Sequence, residues 1–591
     1  MAGTSKVESE TMLEGDVGSP QDRHSVHGAG ELLGSMFRED RFFLVLSVFI
    51  GIFSGLAVVC FRFAIDWCRI YLLGTGAQLS TTRLLLAPTL TGLLIALIVM
   101  YIFPLARGSG VNQTKAALYI YNGHIPGRTA VGKFITSALA IGSGQSLGPE
   151  DPSLQIGAAL ASVVGRRLRL SRDRMRLIGP VGAAAGLAAA FNAPISAVLF
   201  VIEEVIGRWT AGILGSVVLA SVSSVVVLRW FMGSESLFRI PVVQMQQPTE
   251  LLAYGILGVV GGFASVVLSS GIGFLRARCK AMPRWTQYVQ PAVAGLLIGC
   301  IAALGAPQVM GAGYEYIDQA MHGHFTWQFL AILAVMKIVA TTLSFSSGTP
   351  GGMFAPTLFV GAMFGAAVGG AQHALFPHLA WSPGTYGLVG MGVLFAGFLR
   401  VPMTSVFMVL EVSGNYSIIL PVIVANTFAY VISRTLQPVP IFDMLSRQDG
   451  LDLPSMEELR EESILRVEDA MQPPIEPVFD AGEFVDFISR PYVGELPEIT
   501  LVRLQPAAWC SLTRDELKSF IETQKNGLKV ADALAERQVP VIHPDQPLDV
   551  ALRYVDRWPL VPVVSRADFS KLEGVITEHD VLERYRDFAG E

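Results

Sequence analysis

Charged residues are scarce in this chain of 591 residues: Asp, Glu, Lys and Arg make up 16%, against 51% hydrophobic residues. A soluble globular protein carries about a quarter charged residues, so the composition excludes a soluble fold for the whole chain. Apolar runs close to the roughly 20 residues that span a bilayer recur between about residues 42 and 434. This pattern predicts a multi-pass α-helical protein whose main partner is the lipid bilayer.

Cysteine is rare as well, and the five cysteines lie far apart, mostly within apolar runs. Their spacing fits neither a metal site nor a disulfide framework. No nucleophile–base pair and no cluster of metal ligands emerges elsewhere in the chain. We therefore expect no enzymatic activity, no metal and no resident cofactor.

The chain also lacks a secretory signal, because residues 1–36 are polar and contain no apolar core region. This composition predicts a disordered cytoplasmic tail. The arginine-rich segment 166–176 lies between apolar segments, which by the positive-inside rule indicates a cytoplasmic loop. We expect no nucleic-acid partner. Compact loops and the absence of targeting segments favour a prokaryotic plasma membrane, with both termini in the cytoplasm.

Two stretches of the chain, 133–157 and 337–361, align without a gap at an offset of 204 residues. In each, an apolar helix runs into a glycine-rich break and a second apolar helix follows. Irregular backbone at membrane depth is tolerated only where protein or water lines it, and free N–H groups at a helix N-terminus attract anions. Interrupted hydrophobic segments at matching places in two halves indicate a transport site.

A second pair of segments, 192–198 and 400–406, also align, at an offset of 208 residues that places Glu203 on Glu411. Two repeated blocks in the same order predict a duplicated membrane domain over 37–445. Its halves are about 37–232 and 250–445. The sequence leaves their relative orientation open, and inverted halves are expected because they are common in transporters.

Beyond residue 445 the composition changes to a charged, mixed sequence without spanning segments. Strand-like runs alternate with helix-like runs, which is typical of a soluble α/β unit. Within it, SLTRDELKSFI (511–521) resembles VITEHDVLERY (575–585). Each segment contains a threonine with an acidic residue three positions later. In each, the pattern predicts a strand before the threonine and a helix after it.

Four motifs in order resemble those of the CLC family of chloride channels and chloride/proton antiporters. They are Gly108-Ser109-Gly110-Val111-Asn112, Gly148-Pro149-Glu150-Asp151-Pro152, Gly351-Gly352-Met353-Phe354-Ala355-Pro356 and FNAPISAVLFVIEE around Asn192. The resemblance implies an all-α polytopic membrane domain with duplicated halves and broken helices. It also implies a C-terminal pair of α/β CBS domains, about 464–525 and 526–591, and a homodimer with one anion path in each subunit.

The resemblance assigns roles to individual residues. Glu150 matches the gating glutamate, whose carboxylate can imitate the anion and can leave the site when protonated. Glu204 matches the internal proton site of antiporters. The chloride ion would be bound by the hydroxyl of Ser109 and by the amides of Met353 and Phe354. The glycines and prolines of the filter motifs would be Gly108, Gly110, Gly148, Pro152, Gly351, Gly352 and Pro356.

The chain departs from the family pattern at several positions. Pro149 replaces an arginine and Asp151 replaces a glycine, and a second carboxylate beside Glu150 disfavours anions at the outer mouth. Phe442 stands where the family commonly has a chloride-coordinating tyrosine, and its ring cannot donate a hydrogen bond. Asn112 replaces a proline.

These features together predict a chloride/proton antiporter gated by a glutamate. One alternative is a voltage- or pH-gated chloride channel without coupled proton transport. A more distant alternative is a nucleotide-sensing membrane receptor, in which the CBS pair is the output. Thr577 and Asp580 match the CBS pattern that holds a nucleotide's phosphate and ribose. The sequence leaves open whether ATP, ADP or AMP binds there.

Overall fold

The computed structural model describes most of the chain, as two compact units, Met1–Leu453 and Pro454–Glu591. The described residues are 22–74, 80–207, 211–234, 237–238, 250–376, 382–451, 453–454, 465–489, 496–505, 508–524, 534, 537–566 and 568–590. The division lies beyond the predicted domain boundary at 445. The reason is that helix Ile441–Gln448 packs against the first unit, where the Asn112 side chain donates a hydrogen bond to the Phe442 carbonyl.

The first unit is built from helices, several of them short or broken. They are α1 (Asp22–Leu72), α2 (Thr81–Tyr101), α3 (Gly110–Tyr119), α4 (Gly127–Gly142), α5 (Glu150–Arg167), α6 (Arg172–Phe191), α7 (Pro194–Phe200), α8 (Ala211–Met232), α9 (Glu250–Ala281), α10 (Gln290–Ala303), α11 (Tyr314–Met321), α12 (Trp327–Ser346), α13 (Phe354–Leu375), α14 (Pro383–Leu399), α15 (Pro402–Ser413), α16 (Ile419–Leu436) and α17 (Ile441–Gln448). A π-helical turn, Val201–Ile206, continues α7.

Within the described residues, seven helices are long and apolar enough to cross a membrane. They are Arg41–Leu72, Thr81–Tyr101, Gly212–Met232, Glu250–Ala281, Trp327–Ser346, Phe354–Leu375 and Tyr416–Gln448. The prediction of a multi-pass helical membrane protein is confirmed.

The first helix begins earlier than the sequence predicts. Residues 1–21 of the predicted disordered tail lie outside the described residues, but the backbone is helical from Asp22. The helix therefore covers part of the segment for which the sequence predicts disorder. No proline occurs between Asp22 and Leu72, so nothing interrupts the backbone hydrogen bonds as the apolar helix continues toward its N-terminus.

Glycine pairs let the central helices approach closely at equivalent places in the two halves. Helix α5 packs on α6, and helix α13 packs on α14. A Cβ atom added to Gly157 would lie 2.2 Å from the Gly182 carbonyl oxygen, and one added to Gly361 would lie 2.4 Å from the Gly390 carbonyl oxygen. Small residues at a crossing of membrane helices allow this backbone contact, and both crossings lie directly behind the glycine breaks.

The second unit contains two small sheets, as predicted for a soluble α/β region. One has the order β1-β2-β3-β4, with β1 parallel to β2 and the other pairs antiparallel, and the other pairs β5 with β6. The strands are β1 (Val478–Asp480), β2 (Ile499–Gln505), β3 (Ala508–Thr513), β4 (Gln538–Val539), β5 (Val561–Val564) and β6 (Leu572–Ile576). The helices are Ala481–Ser489, Arg514–Gln524, Leu548–Val555 and Glu578–Gly590.

Candidate functional site

The two glycine breaks meet and pair with each other. The Gly148 N–H donates to the Gly352 carbonyl and the Gly352 N–H donates to the Gly148 carbonyl, both at 2.8 Å, as an antiparallel bridge. These glycines occupy equivalent positions in the sequence repeat. Reciprocal contacts of this kind are typical of a two-fold relation, and the two chain segments run in opposite directions through it. The halves are therefore related by a local two-fold axis at the site.

A left-handed backbone conformation at the start of each break explains why a glycine is required there. Gly144 has φ +101° and Gly348 has φ +82°, a region that residues with a Cβ rarely adopt. The chain turns there after α4 and α12, and the next helix of each half starts within a few residues. Both new helices, α5 and α13, are buried where they begin.

A second reciprocal contact lies at the other repeated block. The Glu203 carboxylate accepts hydrogen bonds from the amides of Met403 and Thr404, at 3.2 and 2.8 Å, in the first turn of α15. In turn, Glu411 accepts from the amides of Ile195 and Ser196, at 2.9 and 2.8 Å, in the first turn of α7. Each glutamate thus caps a helix of the opposite half, and Glu203 has a structural role.

Glu150 is fully buried at the start of α5 and reaches the N-terminus of the other half's helix. Its Oε2 atom accepts a hydrogen bond of 3.3 Å from the Ala355 amide in the first turn of α13. Its Oε1 atom has no hydrogen-bond partner among the described residues. The amides of Met353 and Phe354 also belong to this turn, where N–H groups have no partner within the helix. A carboxylate here sits where an anion would be stabilised.

Asp151, the next residue, engages a different helix. Its Oδ2 atom accepts from the Gly110 amide at 2.8 Å, and its Oδ1 atom accepts from the Val111 amide and the Ser109 hydroxyl, both at 3.1 Å. The sequence predicts that the Ser109 hydroxyl contacts chloride. In the structure the hydroxyl donates to Asp151, because the carboxylate that replaces the family's glycine reaches the N-terminus of α3. The chloride contact of Ser109 stays a prediction.

Phe442 lies beside the α13 N-terminus, within a cluster of aromatic rings. Its ring centroid is 6.3 Å from that of Phe354 and 6.4 Å from that of Phe200. The structure thus brings Phe442 next to one predicted chloride-binding residue. Its apolar ring packs against other rings at the place where a tyrosine would present a hydroxyl.

Glu204 belongs to a buried ionic cluster that the sequence did not predict. The Lys115 ammonium lies 2.9 Å from Glu204 Oε1 and 3.2 Å from Asp443 Oδ1, and all three side chains are at most 6% exposed. The three residues come from α3, the π-helical turn and α17. The available signal was a lysine and an aspartate in apolar surroundings, but their partners are far apart in sequence.

Two cavities reach residues of the motifs that surround Glu150. A cavity of about 430 Å³ is lined by Ser109, by the basic residues Arg107, Arg276 and Lys280, and by Asp449, which pairs with Arg276 and Lys280. Another, of about 330 Å³, is lined by Pro149 and contains two arginines and two carboxylates. Both cavities therefore carry charged side chains of both signs.

In the second unit, Thr577 and Asp580 bond to each other at the start of a helix. The Thr577 amide and hydroxyl donate to Asp580 Oδ2 at 2.8 and 2.6 Å, and Gln472 Nε2 donates to its Oδ1 at 3.1 Å. Thr513 and Glu516 form the same arrangement, so the resemblance between 511–521 and 575–585 corresponds to one repeated local structure. The described contacts are those of a capped helix.

Comparison with known families finds two matches. The family described as "Voltage gated chloride channel" matches residues 91–434, and the CBS domain matches residues 530–587. A putative chloride channel protein ClcB-like from Ralstonia nicotianae is 32% identical over 425 residues, which are 70% of this chain and 99% of that relative. An H(+)/Cl(−) exchange transporter ClcA from Salmonella newport is 32% identical over 430 residues, covering 69% of this chain and 89% of the relative.

Solved structures share the fold at lower identity. A slow cyanobacterial Cl−/H+ antiporter matches with TM-score 0.63 and 24% identity, over 69% of this chain and 98% of its own. A eukaryotic CLC transporter matches with TM-score 0.60 and 19% identity, over 91% of this chain and 97% of its own. The latter alignment extends well beyond the membrane unit.

Proposed function

The chain belongs to the voltage gated chloride channel family. On that premise we propose that it is a chloride/proton antiporter, and that its multi-pass membrane domain carries out the exchange. Two relatives support exchange as the activity: the ClcA relative is named an exchange transporter, and the solved cyanobacterial neighbour is an antiporter. Chloride is the proposed substrate, and the proton is the exchanged ion.

The observation that carries the proposal is the position of Glu150. One carboxylate oxygen accepts from the Ala355 amide at a helix N-terminus, and the other has no partner among the described residues. An ionised carboxylate held there occupies the place of an anion. When a proton neutralises it, the attraction to the helix N-terminus falls, and chloride can take the place. The same side chain thus gates the anion and carries the proton.

Glu204 is proposed as the proton site on the other side of the gate. It lies on the π-helical turn, apart from Glu150, and π-helical turns occur frequently at functional sites. Its partners Lys115 and Asp443 give the cluster two carboxylates and one ammonium, so that one bound proton makes it neutral. That balance allows the cluster to accept and release a proton without leaving a large buried charge.

Proton movement in proteoliposomes tests the proposal. A chloride gradient is imposed, the voltage is clamped to zero with potassium and valinomycin, and the external pH is followed. We expect protons to move against their own gradient, and this movement to disappear in Glu150→Ala and in Glu204→Ala. Glu411→Gln is the matched control, because it changes a carboxylate at the repeat-equivalent position of Glu203 without touching the path. Chloride flux without driven protons in the native chain would contradict exchange.

Uncoupled chloride conduction is the second candidate, and two observations favour it. The Lys115 ammonium lies 2.9 Å from Glu204 and favours the charged form of its carboxyl group, which opposes proton uptake there. Phe442 offers no hydroxyl to the ion. The same flux experiment separates the two functions, since a channel passes chloride at equal rates whether or not protons can follow.

We further propose a homodimer with one anion path in each subunit, cytoplasmic termini and a prokaryotic plasma membrane location. The chain's membership in the family supports these assignments.

An adenine nucleotide, as ATP, ADP or AMP, is the proposed ligand of the CBS region at Thr577 and Asp580. Titration calorimetry of the full chain with ATP and with AMP tests this binding. Thr577→Ala, which removes a hydroxyl bonded to Asp580, should abolish the heat, and the absence of heat in the native chain would end the nucleotide proposal.

A further inference from the structure

The N-terminus of helix α3 is occupied by a carboxylate of the chain itself. Asp151 accepts from the amides of Gly110 and Val111, at 2.8 and 3.1 Å, and from the Ser109 hydroxyl at 3.1 Å. Two free amides and a hydroxyl at the start of a helix are the donors that such a terminus offers to a bound anion. A carboxylate that accepts all three hydrogen bonds takes that place.

A buried lysine adds a positive charge at the same point. Lys133 is fully buried, and its ammonium lies 3.8 Å from Asp151 Oδ2 while donating to the Gly108 carbonyl at 2.7 Å. The ammonium and the partial positive charge of the helix end both favour an anion beside Ser109. Asp151 supplies that negative charge from within the chain, and so it neutralises the attraction that a diffusible anion would otherwise feel.

Asp151 is held by more and shorter side-chain hydrogen bonds than Glu150. Asp151 is 2% exposed, and its neighbour Gly352 is so close that an added Cβ would lie 2.9 Å from Asp151 Cβ. Its two oxygens together accept three hydrogen bonds, all of 3.1 Å or less. Glu150 is also fully buried, but its Oε2 atom accepts a bond of 3.3 Å from the Ala355 amide and its Oε1 atom has no hydrogen-bond partner among the described residues. Asp151 is therefore the more firmly bonded of the two carboxyl groups.

We propose that Asp151 is a fixed, tethered anion that withdraws Ser109 and the N-terminus of α3 from the transported ion. Chloride is then bound chiefly at the N-terminus of α13, where it competes with Glu150. Asp151 is in this way a specificity-determining residue, which lowers the chloride affinity of the chain and removes the Ser109 hydroxyl from ion selection. The inference rests on the part of the proposed function that makes chloride the transported ion, and it does not require coupling to protons.

A double-mutant cycle on chloride affinity tests the inference. Chloride binding to the purified full chain is measured by titration calorimetry for the native protein, Ser109→Ala, Asp151→Gly and the double variant. In the native background we expect Ser109→Ala to change the chloride Kd less than about twofold, because the hydroxyl is bonded to Asp151. We expect Asp151→Gly to bind chloride about tenfold tighter, because it frees three donors and leaves Lys133 unopposed. In that background Ser109→Ala should weaken binding about fivefold, the value of one hydrogen bond.

Asp151→Asn is the second variant, because it preserves the side-chain shape should the glycine variant fail to fold. It removes the negative charge and places a neutral amide group beside the three donors of Ser109, Gly110 and Val111. Chloride should again bind more tightly than in the native chain. The effect of Ser109→Ala on the chloride Kd should again be larger than in the native chain. Equal effects of Ser109→Ala in the native and Asp151 backgrounds, or unchanged affinity in both Asp151 variants, would overturn the inference.

The chloride-driven proton flux of the same preparations separates this inference from the proposed function. Driven proton movement with additive effects of Ser109 and Asp151 refutes the tethered anion and leaves exchange intact. Coupling between the two residues without driven protons supports the tethered anion and refutes exchange. Absence of chloride binding in all four proteins refutes both.

Discussion

Two neighbouring carboxylates, Glu150 and Asp151, reach two different helix N-termini. Consecutive residues of a helix point about 100° apart, so side chains at the first two positions of α5 cannot share one site. Glu150 turns toward α13 of the second half and Asp151 toward α3 of the first. One helix end therefore directs two carboxyl groups to two helix N-termini, one through a single hydrogen bond and the other through three.

Lys115 is the residue whose removal should cost most stability in the ionic cluster. Lys115→Met would remove the ammonium that contacts both Glu204 and Asp443 in a buried place. Removing one partner of a buried ion pair costs about 3–5 kcal/mol. We expect the unfolding temperature in detergent, followed by intrinsic fluorescence, to fall clearly.

Lys115→Arg is the control for this prediction, because it keeps the positive charge at the same position. Its unfolding temperature should stay much closer to that of the native chain. Equal unfolding temperatures for the methionine variant and the native chain would show that the ammonium does not stabilise the cluster.

At the scale of elements, the two halves hold each other by exchanging helix caps. The Glu203 carboxylate accepts hydrogen bonds from amides in the first turn of α15, and the Glu411 carboxylate accepts them from amides in the first turn of α7. Both helices begin with a proline at the first position, Pro194 and Pro402, so the free amides lie at the next two positions. The carboxylate from the opposite half satisfies them.

Glu411→Ala should destabilise the membrane unit by about 2 kcal/mol, the upper range for loss of a helix cap. The substitution leaves the amides of Ile195 and Ser196 without their acceptor. Thermal unfolding of the purified variant measures the effect, and Glu411→Gln, which keeps one acceptor oxygen, should lose less. A stability loss confined to Glu203→Ala, with none for Glu411→Ala, would contradict the reciprocal arrangement.

The glycine crossing of α5 and α6 makes a sharper prediction. A Cβ on Gly182 would lie 2.2 Å from the Gly157 carbonyl oxygen, which is backbone and cannot yield without moving a helix. Gly182→Ala should therefore prevent accumulation of folded protein or lower its unfolding temperature severely. Gly179→Ala is the matched control on the same helix, since nothing lies within 4 Å of its added Cβ. Equal behaviour of the two variants in size-exclusion chromatography would contradict the close crossing.

At the scale of the whole molecule, the membrane unit has its own continuous hydrophobic core. The Ralstonia relative is matched over 99% of its length by 70% of this chain. The rest of this chain therefore has no counterpart in that match.

A chain truncated after Leu453 should therefore insert into liposomes and transport chloride. We expect its chloride efflux to stay within about threefold of that of the full chain, since each unit packs its own core. Efflux measured with a chloride electrode checks this, with Glu150→Ala in the truncated chain as the control for passage through the same path. Loss of folded protein on truncation would show that the membrane unit depends on the second unit.

Much of the fold and part of the site were predictable from local pattern. The apolar runs, the repeated glycine breaks and the repeated strand–threonine–helix segments recur in the structure as predicted. The partners of Glu203, Glu204 and Asp151 were not predictable in the same way. Each bonds a residue about 40 to 200 positions away, and a periodic pattern carries no information about which distant side chain will face it.

The sequence by itself determined that the chain crosses a membrane, that its membrane part is duplicated, and that buried glutamates sit at broken helices. Hydrophobicity, periodicity and glycine are local properties, so they can be read along the chain. Only the tertiary structure decided that the halves meet at Gly148 and Gly352, that Lys115 joins Glu204 to Asp443, and that the Ser109 hydroxyl bonds Asp151. The physical reason is that hydrogen bonds and ion pairs depend on distances of a few ångströms, which are fixed only when helices from both halves pack together.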